Sequence, residues 1–239
     1  MAIIDPESRK RLDQFVDAAF GFAVTLLVIA GAQPETLDDL RAALLNIPSS
    51  AAAFVLIVLF WQAHKIYGRL APARGTADTL LVLAVVFMVL VYVFPLKLLT
   101  QALFYWISGG ALPGRQIIDS FGDLATLYQV YGLGFAALSG LYAVLFARAY
   151  GQAGDADGAD DIRSWRDAWM ICAASGLASA LLALLPLKGI PWLPPLTYSL
   201  IPVMISVRER IAGRGRRREQ DRDGVPASGE AQAPPATQG

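Results

Sequence analysis

Residues 11–29 read RLDQFVDAAFGFAVTLLVI. A charged, aromatic-bearing lead-in runs straight into an apolar stretch. Asp17 sits at the lip, and residues 18–34 carry no charged side chain. Ionisable groups at membrane depth are expensive and persist where they are paired or functional. Phe22, Leu26 and Ile29 recur at helical spacing with Thr25 beside them, so they share one face. By the rise of ~1.5 Å per residue that face extends over about ten ångström of helix axis.

The rest of the chain has the same character. It has 239 residues, 55% of them hydrophobic, which is a membrane composition. Its uncharged runs are 18–34, 42–63, 79–96, 124–147, 168–187 and 189–207. A spanning helix needs roughly 20 mainly apolar residues, so these six runs predict six transmembrane helices. The runs are continuously apolar rather than alternating, which argues against a barrel. The expected fold is an all-α polytopic membrane protein. Residues 1–207 form the six-helix domain, with helices at roughly 9–32, 48–69, 78–103, 121–150, 165–187 and 191–207. Thr36, Asp38 and Asp39 start a short helix between the first two spans, and Pro202 is expected to kink the sixth. Residues 208–239 form a basic, then Pro/Ala/Gly-rich tail that cannot bury a core and is expected to be disordered.

Net charge is zero but unevenly placed. With a cytoplasmic N-terminus, the cytoplasmic ends hold Arg9, Lys10, Arg11, Lys65, Arg69, Arg74, Arg148, Arg163, Arg166 and every arginine from Arg208 on. The other side keeps Arg41, Lys97, Arg115 and Lys188. That asymmetry puts both termini in the cytoplasm of a plasma-membrane protein. Lys97 is expected to snorkel to the interface. The N-terminus lacks the layout of a cleaved signal peptide. One cysteine, Cys172, excludes an intrachain disulfide and a cysteine-based metal site.

Small residues four apart (Gly132, Ala136 and Gly140; Ser175, Ser179 and Ala183) suit close helix approach, either between subunits or within one. The acidic loop at 151–161 lacks the glycine placement and closing glutamate of a calcium loop and reads as a solvated linker. The basic run after Arg208 reads first as a topology anchor and second as a contact for anionic lipid; nucleic acid is a poor third.

Enzyme chemistry has little support: there is a single histidine, His64, and no zinc-type histidine pair, nucleophile elbow or phosphate loop. No metal or cofactor is expected. Arg11 and Asp17 on the first span, Trp61 and His64 on the second and Asp78 on the third fall at similar depth. A polar network in low dielectric would satisfy such groups and fix helix register, although Arg11 and Asp78 also fit plain interfacial exposure. The stripe of Phe22, Leu26 and Ile29 is either packing or lipid-facing surface, or, around a symmetry axis, an apolar constriction that gates by dewetting.

Arg11, Phe15 and Asp17 followed by Thr25-Leu26-Leu27 resemble the R-x-x-x-F-S-D and T-L-L signature of the transmembrane protein 175 family of potassium channels. Val16 replaces the serine. Trp61-x-x-His64-Lys65 is similar to the family's W-x-x-H-H, with lysine for the second histidine, and Phe94-Pro95 matches the end of the third segment. The family's asparagine in that segment is missing. The resemblance covers residues 9–97 and is topological beyond them. It implies that the first helix lines a pore at the axis of a homotetramer, with Phe22, Leu26 and Ile29 as constriction and Thr25 as pore lining. It also implies that the signature residues and the histidine form the network. The expected function is passive, potassium-preferring cation conduction among membrane lipids. The alternative is a non-conducting structural or regulatory membrane protein of the same fold, to which Val16, Lys65, Phe22 and the missing asparagine point.

Overall fold

The computed structural model describes residues 5–29, 34–71, 75–114, 118, 120–154, 158–186 and 190–222, with side chains to Ile211. Eight helices follow one another among the described residues: α1 (Pro6–Ile29), α2 (Leu37–Leu45), α3 (Ile47–Leu70), α4 (Thr76–Ile107), α5 (Phe121–Ala153), α6 (Ala159–Leu182), α7 (Leu193–Ser199) and α8 (Ile201–Arg222). The chain divides into two units, Met1–Ile201 and Pro202–Gly239.

Local chemistry sets the helix starts. The Thr36 hydroxyl accepts from the Asp39 amide at 3.1 Å, and the Asp39 carboxylate accepts from the Thr36 amide at 3.0 Å. This capping box opens α2. The Thr36 hydroxyl also donates to the Asp39 carboxylate at 2.8 Å, and this bond, followed by that from the Thr36 amide, holds the Asp39 carboxyl below the usual range. Ser120 and Asp123 repeat the box at α5. Pro48 is the second residue of α3, where a missing N–H costs nothing.

Four helices among the described residues are long and apolar enough to cross a membrane: α1, α3, α4 and α5. Lys97 to Tyr105 continue α4 rather than ending it. The fifth apolar run belongs mainly to α6. The sixth, expected as one kinked helix, is divided between α7, which ends at Ser199, and α8, which begins at Ile201. Pro202, as the second residue of α8, starts a helix instead of bending one. In the second unit α8 runs past Arg208 to Arg222, through the start of the stretch read as tail; Arg, Glu and Gln are good helix formers. Residues 223–239, the ends of the first and fifth expected spans (30–32 and 187), the turn at 72–74, the middle of the acidic loop (155–157), Arg115 and Lys188 lie outside the described residues.

In the first unit, α1 buries Val16, Phe20, Ala23 and Leu27, one stripe at helical spacing, against α3 and α4. In lipid such contacts are held by close packing and shape, because the hydrocarbon around them is as apolar as they are. An aromatic cluster fills the centre. Phe60 of α3 stacks on Tyr142 of α5 and Trp169 of α6, at 6.1 and 5.6 Å between ring centres. Tyr131 stacks on Phe135, and both meet Tyr198 of α7 edge-on. Tyr142 donates from its hydroxyl to the Phe60 carbonyl at 2.6 Å.

The α5–α6 pair is the most closely packed. A Cβ on Gly132 would stand 2.7 Å from the Gly176 carbonyl, and one on Gly176 would stand 2.8 Å from the Gly132 carbonyl. The small-residue row at Gly132 and Ala136 therefore serves packing within one chain, against Gly176 and Ala180. Gly140, the third member of the row, faces open space.

Candidate functional site

The buried stripe of α1 leaves the opposite side uncovered. Phe15, Ala18, Phe22, Thr25 and Ile29 are exposed, with Phe22 at 56% and Ile29 at 62%. Their spacing of three and four residues makes one continuous face. Leu26 sits at its edge, half-buried and packed against the core. Thr25 turns its hydroxyl back to the Gly21 carbonyl at 3.0 Å, which leaves its methyl on the exposed side.

The polar residues near the start of α1 meet α3 in a regular antiparallel register. Arg9 donates to the carbonyls of Gly68 and Ala71 at 2.9 and 3.0 Å. It thereby satisfies acceptors that the end of α3 leaves without intrahelical partners. One turn further along, Asp13 Oδ1 lies 3.4 Å from Nε2 of His64. Among the described residues neither nitrogen of that buried ring completes a hydrogen bond. After another turn Trp61 donates its indole N–H to Asp17 at 2.7 Å. Lys65 lies over the Trp61 ring, 4.8 Å from its centre, adding a cation–π contact.

The five residues expected in one network are thus distributed over separate contacts. Asp17 and Trp61 are joined, and His64 faces Asp13 rather than Asp17. Arg11 points away and pairs with Glu7 at 2.9 Å, both side chains about three-quarters exposed (76% and 75%). Position 11 is off the stripe of residues 9, 13 and 17 that faces α3, so a helix turns it outward. Asp78 is fully buried but belongs to another junction. Its carboxylate accepts from the Gly75 amide at 2.8 Å, capping α4, and pairs with Arg148 of α5 at 2.5 Å. Val16, where the signature has serine, is fully buried in the apolar core.

Lys97 also departs from expectation. It does not reach out to an interface. It is only 7% exposed, and its ammonium donates to the Leu27 carbonyl of α1 at 3.0 Å. Position 97 falls on the buried face of α4 with Val93, Leu96 and Thr100, so the stem is committed to the core and the charge finds a backbone acceptor there.

A profile described as "Endosomal/lysosomal potassium channel TMEM175" matches residues 11–95, the segment that holds the exposed face and its contacts with α3. A crystal structure of the potassium channel MtTMEM175, a single-site variant in complex with a nanobody–MBP fusion protein, superposes with a TM-score of 0.73 at 28% identity, over 85% of this chain and 93% of that one. Residues 11–95 are thus similar to the TMEM175 family. A protein named "Potassium channel" from Marivirga tractuosa is 33% identical over 150 residues, 60% of this chain and 60% of the length of that relative. A crystal structure of a lysosomal potassium-selective channel TMEM175 homolog from Chamaesiphon minutus has a TM-score of 0.58 at 18% identity, over 84% of this chain and 98% of that one; it speaks to the fold alone.

Sequence reasoning missed Arg9, Asp13 and the true place of Lys97. A signal for the first two was present. Arg9, Asp13 and Asp17 are spaced four apart, and that spacing alone puts them on one helix face. The partner of Asp78 had no such signal, because Arg148 lies 70 residues away.

Proposed function

We propose that this chain belongs to the TMEM175 family and is the subunit of a passive, potassium-preferring cation channel. The observation that carries this reading is the exposed face of α1, unbroken from Phe15 to Ile29 and opposite a stripe packed into the core. Potassium is proposed as the permeant ion because the family profile and the two relatives above 25% identity are described as potassium channels. On this reading six helices span the membrane, the fifth and sixth supplied by α6 and by α7 with the start of α8. Both termini face the cytoplasm of a plasma membrane, and four copies place α1 around the axis. A C-terminal reporter active on the cytoplasmic side is the expected result; a periplasmic signal would overturn the six-span topology.

Rings of Phe22, Leu26 and Ile29 would then narrow the path, with Thr25 lining it between them. An apolar neck opposes ions because it cannot replace their hydration shell, and it dewets when narrow. Phe22, an exposed aromatic at the middle of the face, specifically favours the second reading, a non-conducting protein of the same fold. Flux through protein reconstituted in liposomes separates the two. Phe22→Ala, which removes the widest side chain, is expected to raise cation flux about tenfold and to blunt the preference for potassium over sodium. Ala23→Val, on the buried side, tests whether the effect is confined to the exposed face. Silence of wild-type and Phe22→Ala protein, both correctly assembled, would leave the non-conducting reading in place.

A further inference from the structure

We infer that Lys97 is a positioning residue for the pore helix, acting as a cap supplied by α4 to the Leu27 carbonyl of α1. The inference rests on the reading that α1 lines the pore. Leu27 is packed into the core and only 1% exposed. A buried ammonium must find its acceptor in the protein, because hydrocarbon holds no water to supply one. The Leu27 carbonyl is that acceptor: the Lys97 ammonium is 3.0 Å from it, and the side chain is buried.

The anchor itself is well held. Leu96, next to it, is 1% exposed, and Thr100 donates its hydroxyl to the Lys97 carbonyl at 2.9 Å. Burying a lysine at this depth is costly unless it does something there. What it does follows from where Leu27 sits, between Leu26 and Ile29. Fixing the Leu27 carbonyl sets the height and rotation of both side chains, and so the shape of one end of the proposed constriction. Phe22 lies more than one turn away and depends on it less.

The test uses full-length protein carrying Cys172→Ser, which removes the natural thiol, and Ile29→Cys as reporter. Its modification rate by a charged, water-soluble thiol reagent is measured in liposomes. Potassium and sodium flux are measured in parallel on protein with the native Ile29. Lys97→Met keeps the length of the side chain and removes its donors. It is expected to raise the modification rate about tenfold, the scale of losing one charged hydrogen bond, and to lower the potassium-to-sodium flux ratio. The same reporter at Phe22→Cys is expected to change about twofold or less, since it lies more than one turn from the tethered carbonyl. Lys97→Arg, which restores the donors, should return both readouts to the parent. Where the methionine variant does not assemble, Lys97→Gln is read in its place with the same expectation. An assembled methionine or glutamine variant with unchanged rates overturns the cap, as does an arginine variant that behaves like methionine. Wild-type protein without flux, but with the rate difference intact, sinks the channel reading and leaves the cap standing.

Discussion

The two ends of α1 are secured in different ways. At the amino-terminal end three residues four apart, Arg9, Asp13 and Asp17, each meet α3, at Gly68 and Ala71, at His64 and at Trp61. At the carboxy-terminal end the described anchor is one ammonium from α4 on one carbonyl. The first arrangement is redundant: with one rung lost, two others hold the register. The second has, among the described residues, one side-chain hydrogen bond beside the apolar packing of Ala23 and Leu27. On the proposed channel reading, a helix held by three contacts at one end and by one at the other can change its mouth without losing its place in the bundle, so the lightly held end is where a difference in conduction would arise.

The strongest way to break this comparison is at its shortest rung. Asp17→Ala leaves the Trp61 indole without its acceptor, and Trp61→Phe leaves the Asp17 carboxylate without its donor. Each is expected to cost about 1.5 kcal/mol, the low end of the range for hydrogen bonds to charged groups because Asp17 is exposed, read as detergent-phase unfolding of the assembled protein. The double variant should cost less than the sum of the two, since partners in contact are not additive. Full additivity, or an unchanged melting curve for Asp17→Ala, would mean that the carboxylate is merely exposed.

A smaller effect is expected at the start of the helix. Arg9→Gln shortens the reach to the Gly68 and Ala71 carbonyls and is expected to cost about 1 kcal/mol in the same measurement. A loss as large as that of Asp17→Ala would show that the rungs act as one unit rather than as three. The smallest effect belongs to Arg11→Ala. Its pair with Glu7 is solvent-exposed and four residues apart on one helix, so the change should stay within about 0.5 kcal/mol. A larger loss would restore Arg11 to the network from which the geometry removes it.

How far the sequence reveals this arrangement depends on the range of the contact. Apolar runs give the spans, because lipid demands length and hydrophobicity of each segment by itself. The pairing of Asp17 with Trp61 was within reach, since alternating helices bring the start of one beside the end of the next. His64 was placed at the right depth but with the wrong partner, because two aspartates one turn apart share its side of α1. Lys97 was misjudged for a different reason. A lysine near the end of a span ordinarily reaches for the headgroups, and nothing in its neighbours reveals that an acceptor 70 residues earlier in the chain is closer. Likewise Gly132 announces close packing without naming its partners, which are Gly176 and Ala180, each one residue on from the Ser175 and Ser179 of the expected row. The split at Leu200 follows from Pro202, whose ring is as much at home starting a helix as bending one.

The aromatic cluster has a consequence for biogenesis. Phe60, Tyr67 and Tyr92 belong to α3 and α4, whereas the rings of Tyr131, Phe135, Tyr142, Phe146 and Trp169 that they pack against all come from α5 and α6. A ribosome delivers the chain from its amino terminus, so the segment that carries the family signature enters the bilayer before any of those partners exists. Until the second half arrives, the Phe60 carbonyl that later accepts from Tyr142 and the pocket that later holds Trp169 face lipid. The signature half is therefore not an autonomous module with a generic membrane anchor behind it. It is a nascent intermediate whose maturation is completed by the last helices to be made.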